Sequence, residues 1–148
     1  MTTLASSFFE VRRHGAVAEI VMNKPDRANA MSPDFWVDLP RLLGELSADQ
    51  SVRAAVVTGA GKHFTSGMDL STFGNLAALF KDEPGRAAYA FREVILKLQD
   101  SFSAIERARF PVIAAIHGAC IGGGIDMITA CDIRLASADA YFAIEEIN

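Results

Sequence analysis

Asp126 ends the run His117-Gly118-Ala119-Cys120-Ile121-Gly122-Gly123-Gly124-Ile125-Asp126, a carboxylate placed just after three consecutive glycines. The apolar stretch 112–116 precedes the run, and residues 127–131, of helical character, follow it. A strand feeding glycines and then a helix leaves bare backbone N–H groups at a helix start, where negative charge is stabilised. Glycines also let another molecule approach the main chain closely. The segment fits an anion or oxyanion site with an acid beside it. It fits equally a tight turn followed by an aspartate in the first turn of a helix.

A second glycine-bearing loop, His63-Phe64-Thr65-Ser66-Gly67-Met68-Asp69-Leu70, follows the Val56-Val57 run much as the triple glycine follows Val112. In open α/β folds ligands collect beyond the carboxyl ends of parallel strands, so two such loops can face one pocket. If each contributes one N–H to the same carbonyl oxygen, they make an oxyanion hole, in which one donor is worth ~3 kcal/mol of transition-state stabilisation. Two nucleotide motifs fail on inspection. In Thr58-Gly59-Ala60-Gly61-Lys62, Val56 stands where a phosphate loop needs its first glycine and His63 where it needs Ser or Thr. In the 118–124 cluster, Ile121 and Met127 occupy positions where a dinucleotide fingerprint requires glycine.

The elements that must position these loops follow from hydrophobic patterning. Residues 8–13 and 16–22 are β-prone and joined through His14-Gly15, a hairpin signal. Ser32-Pro33-Asp34 starts a helix with Ser as N-cap, its apolar face being Phe35, Leu39, Leu42, Leu43 and Leu46, with Pro40 placed to kink it. Residues 53–59 and 112–116 read as buried strands, 132–135 and 140–144 as further short ones. Between them, 86–108 carries an amphipathic stripe of Phe91, Val94, Ile95, Leu98, Phe102 and Ile105, expected to face the core. Residues 70–84 are weakly patterned and read as a loop, a lid or a helix. Strands alternating with long helices predict an α/β fold with a largely parallel sheet.

Bulk properties exclude several function classes. A net charge of −4 with dispersed basic residues predicts no nucleic-acid surface. Cys120 and Cys131, eleven positions apart in apolar surroundings, read as reduced core thiols, and His14, His63 and His117 have no metal-ligand spacing. No metal is expected. Residues 1–7 lack the features of a secretory signal, and 111–130 is interrupted by His117, four glycines and Asp126, which argues against a membrane span. These features predict a soluble cytoplasmic chain.

Four ordered segments carry a resemblance. They are Asn23-Lys24-Pro25-Asp26-Arg27-Ala28-Asn29-Ala30-Met31, Ser66-Gly67-Met68-Asp69-Leu70, Pro111-Val112-Ile113-Ala114-Ala115-Ile116-His117-Gly118, and Gly122-Gly123-Gly124-Ile125-Asp126 through Cys131-Asp132-Ile133-Arg134. Together they resemble the enoyl-CoA hydratase/isomerase (crotonase) superfamily along almost the whole chain. The resemblance implies a crotonase-like ββα spiral fold, of which residues 1–148 are one domain, incomplete at its C-terminus, that binds an acyl-CoA. It implies an oxyanion hole from the N–H groups of Met68 and Gly123. It also implies a CoA path lined by Arg27, Ala28, Ala30, Ser66, Gly67, Asp69, Leu70 and Gly122. CoA is then part of the substrate, no further cofactor is needed, and the assembly is a homo-trimer or hexamer.

The catalytic carboxylates implied by the resemblance are Asp126 and Glu146. Hydratases of this family have glutamate at both positions; Asp126, one methylene shorter, withdraws its oxygens from where water is held. Among family branches the chain looks most like the Δ3,5-Δ2,4-dienoyl-CoA isomerases. There the residue matching Glu146 moves the proton at C2, a further aspartate eight positions on serves the far end of the diene, and the residue matching Asp126 supports the charge between them. An apolar pocket is expected to raise the pKa of such an acid. The alternatives are an enoyl-CoA hydratase and a non-catalytic acyl-CoA-binding or assembly module. Without the resemblance, Glu146 and Glu145 are solvated acids, Met68 is a core or loop side chain, and His63 and His117 are packing or hydrogen-bonding residues. Asp132 is expected to pair with an arginine. The family's domain extends well past Asn148, so the chain is read as part of a longer protein, and a species ending there is expected to isomerise weakly or not at all.

Overall fold

In the computed structural model, which describes residues 6–69, 71 and 83–145, the chain opens as an antiparallel hairpin of β1 (Phe9–His14) and β2 (Val17–Met22). Gly15 makes the turn at φ +61°, a conformation glycine adopts without strain. After a 3-10 turn at Pro25–Arg27 come α1 (Pro33–Ala48), β3 (Ala54–Gly59), α2 (Pro84–Glu106) and β4 (Val112–Ile116). The short β5 (Ala119–Ile121), α3 (Gly123–Thr129), β6 (Ile133–Ala136) and β7 (Tyr141–Ala143) complete the order.

The main sheet runs β1-β2-β3-β4-β6, parallel at every pair except the hairpin, and β5 and β7 form a separate parallel pair. Alternate residues of β3 and β4, Ala55 and Val57 with Val112, Ala114 and Ile116, are buried in the same core as Phe35, Leu39, Leu42, Leu43 and Leu46 of α1. An aromatic cluster caps that core, Phe8, Phe9, Phe35, Trp36 and Phe102 lying 5.0 to 6.3 Å apart, mostly edge to face. On β6 and β7 the apolar Leu135, Tyr141 and Phe142 stand half or more exposed.

Several expectations need correction. Ser32 holds the N-cap position of α1 but its side chain makes no capping bond; its carbonyl accepts from Phe35 N–H instead. The helix expected from residue 127 begins inside the glycine cluster, at Gly123, and the preceding residues form β5 rather than a loop. The expected core stripe on α2 holds in part: Ile105 is fully buried and Leu98 and Phe102 pack against the core, but Ile95, Leu98 and Phe102 also line a cavity. Asp132 accepts from Val112 N–H at 2.7 Å and no ion pair with an arginine forms among the described residues; Arg134 donates instead to the Ile128 and Cys131 carbonyls. The loop-or-helix reading of 70–84 falls almost wholly outside the described residues.

Pro40 shows how packing repairs a local defect. A proline has no N–H, so the carbonyl one turn earlier, that of Trp36, loses its helical donor. Ser101 of α2, buried to 1 % exposure, donates its hydroxyl to that carbonyl at 2.9 Å. Ser101→Ala is therefore expected to lower unfolding free energy by about 1–2 kcal/mol in a denaturant titration, the cost of an unpaired buried carbonyl. A change below about 0.3 kcal/mol would show that this bond does not hold the two helices.

Candidate functional site

The turn 24–31 and the loop 62–69 are clamped together by one buried side chain. Asn29, at φ +53° and fully buried, accepts from Lys24 N–H through Oδ1. Its Nδ2 donates to the carbonyls of Ala60, His63 and Phe64 at 2.9, 2.9 and 3.2 Å. Thr65 adds a second clamp: its hydroxyl donates to the Asn29 carbonyl at 2.8 Å and accepts from Gly67 N–H at 3.1 Å. Ser66 N–H donates to the Ala28 carbonyl. Asn29 carried no assigned role in the sequence; a polar residue inside a turn that needs a left-handed conformation was the available signal.

Two backbone arrangements then aim the candidate N–H groups. Met31 bridges Met68 in parallel, Met31 N–H donating to Gly67 O and Asp69 N–H to Met31 O, which turns the Met68 N–H to the opposite side. Thr65 bridges Cys120, tying the loop along β5. Gly122 N–H donates to Ala143 O, and Gly123 N–H opens α3 with no acceptor among the described residues; the Met68 N–H has none either. Close approach of the two strands depends on missing side chains. A Cβ on Gly67, which sits at φ +87°, would lie 2.6 Å from the Ile121 carbonyl oxygen, and one on Gly123 would lie 3.3 Å from Met31 Sδ and 3.9 Å from Met68 N.

Met68 and Gly123 both line a cavity of about 870 Å³. Ser66, Gly67 and Met68 form one wall, Ile121, Gly122, Gly123 and Asp126 the adjoining one, and Trp36 with Ile95, Leu98, Gln99 and Phe102 the apolar side. The two glycine loops thus share one pocket, as their positions after β3 and β4 suggested. Asp126 lies in the first turn of α3, largely exposed. Glu145 also lines the cavity, where the sequence alone read it as a solvated acid. Glu146 and Leu70 lie outside the described residues.

Arg27, Ala28, Ala30 and Asp69 are not on the cavity wall. Arg27 pairs with Asp69 at 3.0 Å, its guanidinium mostly exposed, and Asp69 is held below the usual carboxylate range by hydrogen bonds from the Ser71 hydroxyl and N–H, with Arg27 adding to the effect. His63 and His117 act in hydrogen bonding, His117 through Nε2 to the Gly61 carbonyl. Cys120 and Cys131 are buried free thiols, pushed up by burial to about 12 and about 11, so neither is a nucleophile at neutral pH. Among the described residues no cluster could hold a metal ion, and no helix is long and apolar enough to cross a membrane.

Residues 12–148 match the enoyl-CoA hydratase/isomerase family. The chain belongs to it. Members of this family similar to the chain include the peroxisomal Δ(3,5)-Δ(2,4)-dienoyl-CoA isomerase of Arabidopsis thaliana, 44% identical over 90% of this chain and 49% of that protein. The mitochondrial enzyme of that name from Mus musculus is 45% identical over 89% of this chain and 41% of its own length. The crystal structure of an enoyl-CoA hydratase/isomerase from Xanthobacter autotrophicus Py2 superposes with a TM-score of 0.82 at 29% identity, covering 97% of this chain and 51% of that one. The chain therefore spans about half the length of the family members it matches, and its α/β architecture is that of their N-terminal half.

Proposed function

We propose that the protein carrying this chain is an acyl-CoA isomerase that converts a 3,5-dienoyl-CoA thioester to its 2,4-isomer. The observation that carries the reading is the pair of N–H groups, Met68 and Gly123, that have no acceptor among the described residues and belong to two separate loops at one cavity. Removing a proton from C2 of such a thioester sends the C–H electron pair into the π system and negative charge onto the thioester oxygen. Two fixed N–H dipoles stabilise that dienolate with little reorganisation. Returning a proton at C6 moves the double bonds from positions 3 and 5 to 2 and 4. The sum of the steps neither oxidises nor hydrates the substrate, so it asks for no cofactor beyond the CoA that the substrate carries.

Glu146 is assigned the C2 proton and Asp126 the support of charge along the diene. Arg27, Ala28, Ala30, Ser66, Gly67, Asp69, Leu70 and Gly122 are assigned to the CoA path. The apolar side formed by Trp36, Ile95, Leu98 and Phe102 receives the acyl chain, each buried methylene contributing about 0.8 kcal/mol. The short side chain of Asp126 favours isomerisation over hydration. Because two of the similar proteins are named peroxisomal and mitochondrial, the reading includes oxidation of unsaturated fatty acids, and the trimeric or hexameric assembly belongs to it as well.

The test is diene conjugation, followed by ultraviolet absorbance, with the full-length protein and a 3,5-dienoyl-CoA. Turnover is expected, and Glu146→Gln is expected to lower kcat by at least about a hundredfold with little change in KM. Hydration of a 2-enoyl-CoA without conjugation would replace the isomerase by a hydratase. Binding of CoA esters with neither reaction would replace it by a binding module.

A further inference from the structure

His63 joins the two loops that supply the candidate oxyanion donors. Ala119 opens β5, three residues before Gly122, and is 3 % exposed, so its N–H needs an acceptor inside the protein. The loop 62–65 pairs with β5 through Thr65 N–H to Ala119 O and Ile121 N–H to Thr65 O. The His63 carbonyl, however, is taken by Asn29 Nδ2, and the Ala119 N–H goes instead to His63 Nδ1 at 3.1 Å. In this bond Nδ1 is the acceptor, which leaves Nε2 as the ring's donor. Tyr141 of β7 meets the ring edge to face at 6.4 Å, and Gly118 approaches it so closely that an added Cβ would lie 2.9 Å from Nδ1.

Resting on the isomerase reading, we propose that His63 is a positioning residue for the oxyanion hole. By accepting the Ala119 N–H it sets where β5 starts against the loop, and so the spacing between the Met68 and Gly123 N–H groups downstream on each side. It touches neither the cavity nor, in the proposed reaction, the substrate. Its effect is on alignment, where displacements of about 1 Å are enough to slow chemistry severely.

The test compares His63→Leu, which removes the acceptor, with His63→Asn, whose Oδ1 restores an acceptor near Nδ1. In the full-length protein the leucine variant is expected to lose about tenfold or more in kcat, with KM within about threefold. The infrared carbonyl band of a bound, unreactive acyl-CoA thioester is expected to shift less than in the unmodified protein. The asparagine variant is expected to keep kcat within about threefold and to restore the band. Equal losses in both variants, an effect on KM alone, or an unaltered leucine variant would overturn the proposal. If the unmodified protein does not turn over a dienoyl-CoA, the reaction assignment fails separately, and amide hydrogen exchange across 119–123 decides. Faster exchange in the leucine variant with protection kept in the asparagine variant supports the positioning role; equal exchange in both overturns it.

Discussion

Gly67→Ala is expected to lower kcat about a thousandfold in the protein that remains folded, and to destabilise it by about 3 kcal/mol. Two separate costs meet at this position. At φ +87° an alanine is strained by about 1–2 kcal/mol whatever surrounds it. Its Cβ would also lie 2.6 Å from the Ile121 carbonyl oxygen, and that carbonyl has little room to retreat. Ile121 pairs with Ala143 in the β5–β7 ladder and donates its N–H to Thr65 O. The strain is therefore relieved by parting the loop 66–69 from 121–123, the movement that misaligns the Met68 and Gly123 N–H groups. Gly15→Ala provides the control. Gly15 has a similar φ of +61° but nothing within 4 Å of a Cβ, so it should cost about 1 kcal/mol and leave kcat unaltered. Urea unfolding and steady-state rates on both variants separate the terms. A Gly67→Ala protein with the kcat of the Gly15 variant would mean that the contact between the loops does not set the active geometry.

The strands were legible because their patterns are local. Val112–Ile116 reads as a continuous apolar run between a proline and a His-Gly pair, and it folds as a strand with those bounds. The glycine cluster was read less well, since glycine's poor helix propensity argues for a loop. What overrides propensity is space: a Cβ on Gly124 would lie 2.5 Å from Thr65 Cγ2 and 3.2 Å from Cys120 Sγ, so α3 can abut the loop only where side chains are absent. The three residues of β5 have no periodicity to reveal them, and their partner, Tyr141–Ala143, lies beyond α3 and β6. The stripe on α2 illustrates a different limit. Periodicity identifies the apolar face of a helix but not everything it faces: Leu98 and Phe102 pack against the core and, with Ile95, also line the cavity. The proposed donors Met68 and Gly123 could be named only through resemblance, because they act through the main chain, and their side chains, or the lack of one, carry no chemical signature.

Asn29→Ala is expected to destabilise the protein by about 3–4 kcal/mol, the second large effect, because its four side-chain bonds have no substitute. Removing the amide leaves the Lys24 N–H and the carbonyls of Ala60, His63 and Phe64 unpaired, and puts alanine in a left-handed conformation at φ +53°. Truncation alone does not distinguish lost bonds from lost volume; Asn29→Asp does. The aspartate has nearly the same shape but, when ionised, presents a second anionic oxygen to three carbonyl oxygens. Only its protonated form can donate to one of them, so its folded pKa is expected above the unfolded value. With the native state then binding the proton more tightly, stability rises as pH falls through that raised pKa and is lost as pH rises. Relative to the unmodified protein, Asn29→Asp should therefore show a smaller deficit at pH 5 than at pH 8, while Asn29→Ala shows the same deficit at both. Denaturant midpoints at the two pH values measure this. A pH-independent aspartate variant would place water, rather than the Asn29 amide, against the three carbonyls, and the clamp between the turn 24–31 and the loop 62–69 would then rest on Thr65.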